Sequence, residues 1–388
     1  MCLKSFSQRA VGVFSLLALS VELCAAISSL GLSGDRSKVA EYLNAEASPS
    51  TLSLVEGLHG EALKEALSSI SPARNAYSQY VAAQTAFSFS TALSLSLDRY
   101  RFSDKIPLER DKGEGFLEAF ITSGHLGKAK QNPGFNYFSE AALAGADYHR
   151  SSRALVGAAV GYAHTHYYDN GCAGHGHNSQ YVGSLYSDIR IYHGYIAPAF
   201  WGMFTEVSEV RRVVFTGFSQ EAKAHLLAWQ MMPKLSLGFF IERPWGYVNP
   251  FMELDWFVAW QRSYQEKGAS PFNAKEKQSH SSQLRAEAGV KFYQYWDMPW
   301  GTFILKEKTA YALQKLFGVG NVFGSFIGMG GVLNVRALRS NINLGIFQLD
   351  CISLIGKKNP WEIDVSYEGE FGVKYYSNSL TLNFVKHF

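Results

Sequence analysis

The sequence predicts an all-β transmembrane barrel of about 12 antiparallel strands, of the outer-membrane type. It also predicts an N-terminal α-helical segment, part of it threading the lumen. Three observations carry this reading. The chain ends in SLTLNFVKHF, where Leu380, Leu382, Phe384 and Phe388 share one face of a strand and Ser379, Thr381, Asn383 and His387 share the other. The same period-two alternation recurs along most of the chain, with one face apolar and Trp-rich and the other densely charged. Hydrophobic residues make up 47% of the chain, yet mean hydropathy is only −0.08, so apolar residues are interspersed rather than blocked. In a bilayer every backbone N–H must be paired, so β-structure crosses only as a closed barrel, and a strand at the chain's end closes it. Aromatic residues reach 14%, with 27 Phe, 21 Tyr and 8 Trp, enough for girdles at both membrane surfaces. A formal charge of +3 points away from a nucleic-acid partner. Beyond residue 26 there is no apolar run of about 18 residues, so no spanning helix is expected.

Residues 1–26 read as a secretory signal. Lys4 and Arg9 form a positive start, Val11 to Val21 an apolar stretch, and Cys24-Ala25-Ala26 a small-residue cleavage site, with Glu22 as a departure. Val21-Glu22-Leu23 is a poor lipobox, which argues against lipid attachment at Cys24. Export of a barrel means the outer membrane of a Gram-negative bacterium, with the signal removed. Cys2 and Cys24 leave with the signal. Cys172 and Cys351 remain in an oxidising compartment, and the sequence leaves open whether they pair.

From Gly34 to Ile70 the spacing is helical. Asp35 is the expected cap of a helix holding Val39, Tyr42 and Leu43; Pro49 and Ser50 interrupt it, and Ser71-Pro72 ends the run. From Ala73 to about Leu97 a second segment carries Tyr77, Tyr80, Val81, Gln84, Phe87 and Leu93 among Ala, Ser and Gln. About 25 residues at 1.5 Å each reach about 37 Å, enough to cross a barrel. This segment runs directly into the first strand, and its Ser and Gln suit a wet interior, so the lumen is favoured over a periplasmic cap. Residues 104–115 read as a charged linker. The expected organisation is therefore 1–26 signal, 27–72 short helical passenger remnant or pre-barrel region, 73–114 lumen helix and linker, and 115–388 barrel.

Twelve alternating runs start near 116, 137, 154, 180, 195, 225, 247, 283, 302, 341, 361 and 379. In one, Val248, Met252, Leu254, Trp256, Val258 and Trp260 oppose Asn249, Glu253, Asp255 and Ala259. In another, Leu284, Ala286, Ala288, Val290 and Phe292 oppose Arg285, Glu287 and Lys291. In a third, Trp361, Ile363, Val365, Tyr367 and Phe371 oppose Glu362, Asp364, Glu368 and Glu370. Short connections near 149–153, 193–194, 241–246, 296–301 and 356–360 alternate with longer ones near 168–179, 209–224, 262–282 and 316–340. That is the rhythm of periplasmic turns and external loops. The Gly-rich stretch 318–331 is expected to fold along the barrel.

The terminal pattern resembles the insertion signal of bacterial outer-membrane barrels at Leu380, Leu382, Phe384 and Phe388. Lys386 departs from it, at a level where a lysine snorkels to the interface. Several stretches together resemble the autotransporter β-domain family of type V secretion. They are Gly145-Ala146-Asp147-Tyr148 with Leu155 to Tyr162, Asn249-Pro250-Phe251-Met252-Glu253-Leu254, Tyr264-Gln265-Glu266-Lys267-Gly268 and Leu284 to Gly289. Upstream, Val39 to Asn44 and Ala62 to Leu67 resemble the helical region that precedes such barrels. The resemblance spans roughly residues 36–388. It implies a twelve-stranded barrel with a helix in its pore, inserted by the barrel-assembly machinery with periplasmic chaperones, standing in outer-membrane lipid and aiding delivery of an N-terminal passenger. Only about 90 residues separate signal from barrel, without a β-helix repeat, so the passenger is expected to be missing, vestigial or encoded elsewhere. A monomer with no cofactor, no bound metal and no enzymatic role is expected. The alternatives are a porin or surface adhesin of the same fold, or an outer-membrane hydrolase.

Two clusters invite chemistry. His164, His166, Cys172, His175 and His177 are metal-ligand types in or beside one hairpin, although their spacing fits no zinc pattern and a solvated polar loop is the plainer reading. His177-Asn178-Ser179 resembles the His-x-Ser of outer-membrane phospholipase A, but Gln180-Tyr181-Val182 follows where that family has Asn-Gly-Arg. Glu253 and Asp255 are a carboxylate pair whose plainer role is lining a hydrated pore. Glu56-Gly57-Leu58-His59 reads as surface.

Overall fold

The computed structural model describes residues 32, 34–101, 113–128, 134–151, 153–171, 174–317, 321–336, 341–355 and 361–387. The signal at 1–26, most of the expected linker, Cys172 and Phe388 lie outside the described residues.

Twelve antiparallel strands form one closed sheet. They are β1 (Gly113–Leu126), β2 (Phe135–Ser151), β3 (Ala154–Asp169), β4 (Gly174–Ile191), β5 (Gly194–Phe215) and β6 (Phe218–Phe239), followed by β7 (Gly246–Gln261), β8 (Ser279–Met298), β9 (Gly301–Phe317), β10 (Asn341–Ile355), β11 (Trp361–Gly372) and β12 (Tyr375–His387). Each pairs with its successor, and β12 pairs with β1 from Glu114↔His387 to Leu126↔Tyr375. The first and last strands thus satisfy each other's backbone groups, as the apolar membrane interior requires. The largest departure from an expected start is at β6, expected near 225 and found at Phe218.

The alternation is oriented as the charges demand. Leu254, Trp256, Trp361 and Phe371 face outward, while Asn249, Glu253, Asp255, Glu362 and Asp364 face the interior and are buried. Leu380, Leu382 and Phe384 are 47%, 39% and 41% exposed on the outer face of β12. Lys386, the departure in the terminal pattern, lies with its Nζ 4.2 Å from the centre of the Trp361 ring. A cation–π contact there gives the lysine a partner at the membrane surface.

At the end of the barrel that holds Gly113 and His387, connections are short turns such as 192–193 and 299–300. Gly246 and Gly301 start strands at this end with φ 152, and a Cβ on either would strike the carbonyl oxygen of Tyr293 or Leu354. The opposite end carries the connections 262–278 and 318–340. Short periplasmic and longer extracellular connections identify that opposite end as external. Two connections expected to be long are mostly strand. Residues 174–179 belong to β4, and β5 and β6 run to a two-residue turn at Thr216-Gly217, with Gly217 at φ 80. These strands are 22 residues each, about twice what a membrane crossing needs. Above the membrane their outer positions are polar, as at Glu206, Ser208 and Arg212, which erased the apolar alternation that marks a strand.

Four short strands from the two long connections, Tyr264–Gln265, Ala274–Glu276, Asn321–Phe326 and Leu333–Arg336, form a second small sheet at the external mouth. The Gly-rich stretch expected along the barrel is therefore partly a strand of this sheet. Over it lie α1 (Asp35–Glu46), α2 (Pro49–Val55) and α3 (Gly60–Ile70). Gly34, not Asp35, takes the N-cap position of α1, and Asp35 opens its first turn. Ser48 caps α2, its Oγ accepting from the Thr51 amide at 3.3 Å, with Pro49 in the first turn where its missing N–H costs nothing. A 3-10 turn (Pro72–Ala76) then leads into α4 (Tyr77–Arg101).

Candidate functional site

The site consists of the filled lumen and the cap above it. Helix α4 is buried on nearly every side. A helix enclosed by the wall on all sides, by apolar chains such as Phe120, Trp201 and Phe257 as well as polar ones, has no solvent face and so no amphipathic pattern, and its Ala and Ser residues keep it slim enough to fit. At its external end Tyr77 stacks on Phe135 with ring centres 4.4 Å apart. Midway, Phe89 meets Phe120 edge-on at 5.1 Å, and Ser90 donates to Asp255 at 2.7 Å. Near the periplasmic end Ser96 donates to Glu118 at 2.8 Å.

The strongest anchor is Asp98. Its carboxylate meets Lys291 at 2.9 Å, Lys306 at 2.8 Å and Arg101 at 2.7 Å, all buried. Arg101 in turn pairs with Asp188 at 2.7 Å and lies 3.4 Å over the Tyr195 ring. Lys291 and Lys308 are direct cross-strand partners in β8 and β9, a like-charge pairing that disfavours the sheet unless anions intervene. Asp98 and Glu253 serve Lys291, while Glu287 and Glu368 serve Lys308. The helix thus completes the charge balance of the wall. The expected acid pair takes part: Lys234 sits 2.6 Å from Glu253 and 3.9 Å from Asp255. These carboxylates are engaged by cations, as pore-lining groups.

The cap is tied down by two polar knots. In the first, buried Arg211 of β5 donates through Nη1 to the carbonyls of Ser69 (3.0 Å) and Ile70 (2.9 Å), the last turn of α3. Its Nε and Nη2 grip Glu266 at 3.1 and 2.5 Å, and Nη2 also donates to the Phe272 carbonyl at 2.7 Å. A guanidinium suits this place because carbonyls at a helix C-terminus lack intrahelical partners and carry partial negative charge. In the second, Asn75 Nδ2 donates to Tyr264 Oη (2.7 Å) and Glu276 Oε1 (2.8 Å). Burial pushes the Glu276 carboxyl up to about 8. Between the knots lies an apolar seam of Val39, Leu43, Leu63, Leu67, Phe272 and Phe326. Tyr42 Oη donates to the Gly330 carbonyl at 2.6 Å and packs edge-on against Phe326.

The other candidate residues fall elsewhere. His164, His166, His175 and His177 are in strands, on the outer wall of β3 and β4, rather than in a loop. Among the described residues no group of three or more His, Cys, Asp or Glu is arranged to hold a metal ion. Ser179 contacts His164 across the strand pair, Nδ1 to Oγ 3.2 Å, instead of His177. Tyr162 Oη donates to the same hydroxyl at 3.3 Å. Cys351 carries a free thiol on β10. Glu56 and Gly57 turn the chain between α2 and α3.

Sequence reasoning missed Asp98, Arg211 and Asn75. For Asp98 a signal was present: it ends an uncharged run from residue 75 to 97, so it is the first charge the helix brings into the lumen. Arg211 and Asn75 have no local signal, because their partners lie far along the chain, in the connection 262–278 and, for Arg211, also at Ser69 and Ile70.

Among solved structures, the translocator domain of autotransporter NalP from Neisseria meningitidis matches at 14% identity over 77% of this chain and 98% of that one, with TM-score 0.58. The β-domain of the Bordetella autotransporter BrkA matches at 13% identity over 72% of this chain and all (100%) of that one, with TM-score 0.53. A comparison with curated proteins gave no match. The sequence family described as the autotransporter beta-domain matches residues 115–336, more than half of the chain. The chain therefore belongs to the autotransporter β-domain family, and is a translocator barrel of the Gram-negative outer membrane.

Proposed function

We propose that this barrel delivers its own N-terminal segment to the cell surface and retains it there as a cap. The observation that carries the reading is polarity. Helix α4 enters the lumen from the external mouth at Tyr77 and ends at Arg101 near the periplasmic side, while α1 to α3 lie over the mouth. A segment N-terminal to such a helix has crossed the membrane. In this reading residues 27–72 are the delivered portion, 73–114 the tether and 115–388 the translocator. The buried ion pairs around Asp98 and the Arg211 knot favour retention over release.

Family membership supports a transport barrel without a reaction of its own, assembled by periplasmic chaperones and the barrel-assembly machinery, with outer-membrane lipid as its solvent. The closed sheet leaves no strand edge asking for a second copy, which favours a monomer. The charge of +3 offers no footprint for nucleic acid. Leu380, Leu382, Phe384 and Phe388 are the insertion signal of this reading.

The test is a small epitope placed between Gly31 and Gly34. Antibody labelling of intact cells is the expected result. Labelling only after permeabilisation, with the barrel inserted, would reject surface delivery and leave a closed outer-membrane barrel.

A further inference from the structure

The outer wall changes character at one level. Tyr162, Tyr181, Phe204 and Trp229 form a continuous aromatic row across β3 to β6, with successive ring centres 5.2, 6.4 and 4.8 Å apart. Such a row marks where hydrocarbon gives way to headgroups. Directly above it, towards the external end, imidazoles take over. His164 pairs in register with Ser179, then His166 with His177, and Ser208 with His225. His175 follows one step higher, opposite Tyr168. All five histidines face outward. The rings of His164 and His166 are 4.6 Å apart, those of His164 and His177 5.5 Å, and those of His166 and His177 6.1 Å.

The charged side chains around this patch come from every neighbouring element. Glu140 belongs to β2, Glu206 and Arg212 to β5, Glu221 and Lys223 to β6, and Lys267 to the external connection bridged to Lys223. Glu221 is already flanked by Arg212 at 3.3 Å and Lys223 at 3.6 Å. With neutral imidazoles, three cations face three carboxylates and the patch has no net charge. Protonating the five histidines turns the same surface strongly cationic, and partial burial and the neighbouring imidazoles hold His164 and His177 below the ordinary imidazole range, so the change needs acidic medium.

We propose that this imidazole patch is a binding site for the phosphate headgroups of anionic lipid in the outer leaflet, engaged in mildly acidic medium and released at neutral pH. Charge complementarity and height argue for this occupant. The patch begins one register step above the aromatic row, where lipid phosphates lie. The Ser179 and Ser208 hydroxyls beside His164 Nδ1 and His225 Nδ1 add hydrogen-bonding groups on the same face. Imidazolium groups this close repel one another, so protons enter readily only when an anion arrives with them. Lipid and proton binding are therefore reciprocal. The proposal rests on the barrel standing in an outer membrane, and not on delivery of the N-terminal segment, which the epitope experiment reads separately.

The test titrates the full chain in maltoside micelles with dihexanoyl phosphatidic acid at pH 5.5 and 7.5. Dihexanoyl phosphatidylcholine and inorganic phosphate are titrated in parallel. Phosphatidic acid is expected to bind about tenfold more tightly at the lower pH, the scale expected for a few basic groups at an anionic surface. Phosphatidylcholine and inorganic phosphate are expected to bind weakly at both. The triple variant H166Q/H177Q/H225Q should lose the pH dependence while its barrel stays resistant to unfolding in detergent. The variant H166K/H177K should bind phosphatidic acid tightly at both pH values. Retention of the pH dependence by the triple variant, failure of the lysine variant to remove it, or equally tight binding of inorganic phosphate would overturn the assignment.

Discussion

Arg211 Nη1, in the wall of β5, donates to the carbonyl oxygen of Ile70 at the end of α3, 2.9 Å away. This contact joins the external cap to the barrel, because the same guanidinium also holds Glu266 and Phe272 in the neighbouring connection. Arg211→Ala leaves Glu266 buried beside helix carbonyls without its cation. Breaking a buried ion pair from one side costs about 3–5 kcal/mol. The cap over residues 34–76 should then become sensitive to added protease, while the barrel still resists unfolding in detergent. Arg211→Lys should rescue little, since one ammonium cannot reach four separate acceptors. A cap equally resistant in wild type and Arg211→Ala would mean the apolar seam alone holds it.

The cap should also loosen with rising pH. The buried Glu276 carboxyl is pushed up from 4.5 to about 8, so the docked cap keeps a proton that an undocked, solvated Glu276 gives up. Docking is therefore fully supported below about pH 4.5, and that support is lost as the pH rises through about 8. Glu266 faces the same knot, with Arg211 already engaged by it, and Asn75 and Tyr264 supply no charge to compensate Glu276. Protease sensitivity of the cap should increase between pH 5 and 9 in the wild type. In Glu276→Gln, which keeps an acceptor for Asn75 without a titrating proton, the slope should become clearly shallower, the remainder coming from Glu209, whose carboxyl burial pushes up to about 7. An unchanged slope in that variant would assign the titration to another group.

How much of this was legible beforehand follows from which interactions are local. The strands were, because alternation is a property of neighbouring residues: the face holding Trp256 and Trp260 against Glu253 and Asp255 fixes orientation without reference to the rest of the chain. The lumen helix was legible through its length and its Ala and Ser content. The external extensions of β5 and β6 were hidden, because Glu206, Ser208 and Arg212 make the outer face polar where no lipid selects for apolar side chains, while Val207 and Val213 turn inward. The cap's attachment was hidden for another reason. Asn75 meets Glu276, and Arg211 meets Ile70, across separations no periodicity encodes. The His164–Ser179 contact was likewise missed because pairing across β3 and β4 depends on register, whereas reading along the chain put Ser179 with His177.

Asp98 should act as the lock on the plug. In Asp98→Ala, Lys291 is left with Glu253 at 3.7 Å and Lys306 with Asp350, while Lys291 still faces Lys308 across the strands. The buried positive charge that results disfavours the closed lumen by an amount on the order of a few kcal/mol. Purified barrel in planar bilayers should show more frequent and longer openings than wild type. Asp98→Glu should stay close to wild type, because the charge remains. Equal conductance in wild type and Asp98→Ala would mean that steric fit of the Ala- and Ser-rich helix suffices.

The last strand offers a test of insertion that its two faces make internal. Leu382 points outward and pairs in register with Ala119 of β1 and Val365 of β11, so it sits where the barrel closes and where lipid touches it. Leu382→Arg places a charge on the lipid face, at a cost of about 2–4 kcal/mol near the midplane and less towards the interface. It should lower the fraction of chain recovered in the outer membrane and increase the fraction degraded in the periplasm. Thr381→Ser, one residue away on the interior face, keeps a hydroxyl in a wet lumen and should leave recovery unchanged. Lys386→Glu should behave like a mild version of Leu382→Arg, since it exchanges an attraction to the Trp361 ring face for a repulsion. The order expected in outer-membrane recovery is wild type and Thr381→Ser, then Lys386→Glu, then Leu382→Arg. A Thr381→Ser loss as large as that of Leu382→Arg would show that backbone pairing at this position, rather than the lipid-facing stripe, limits insertion.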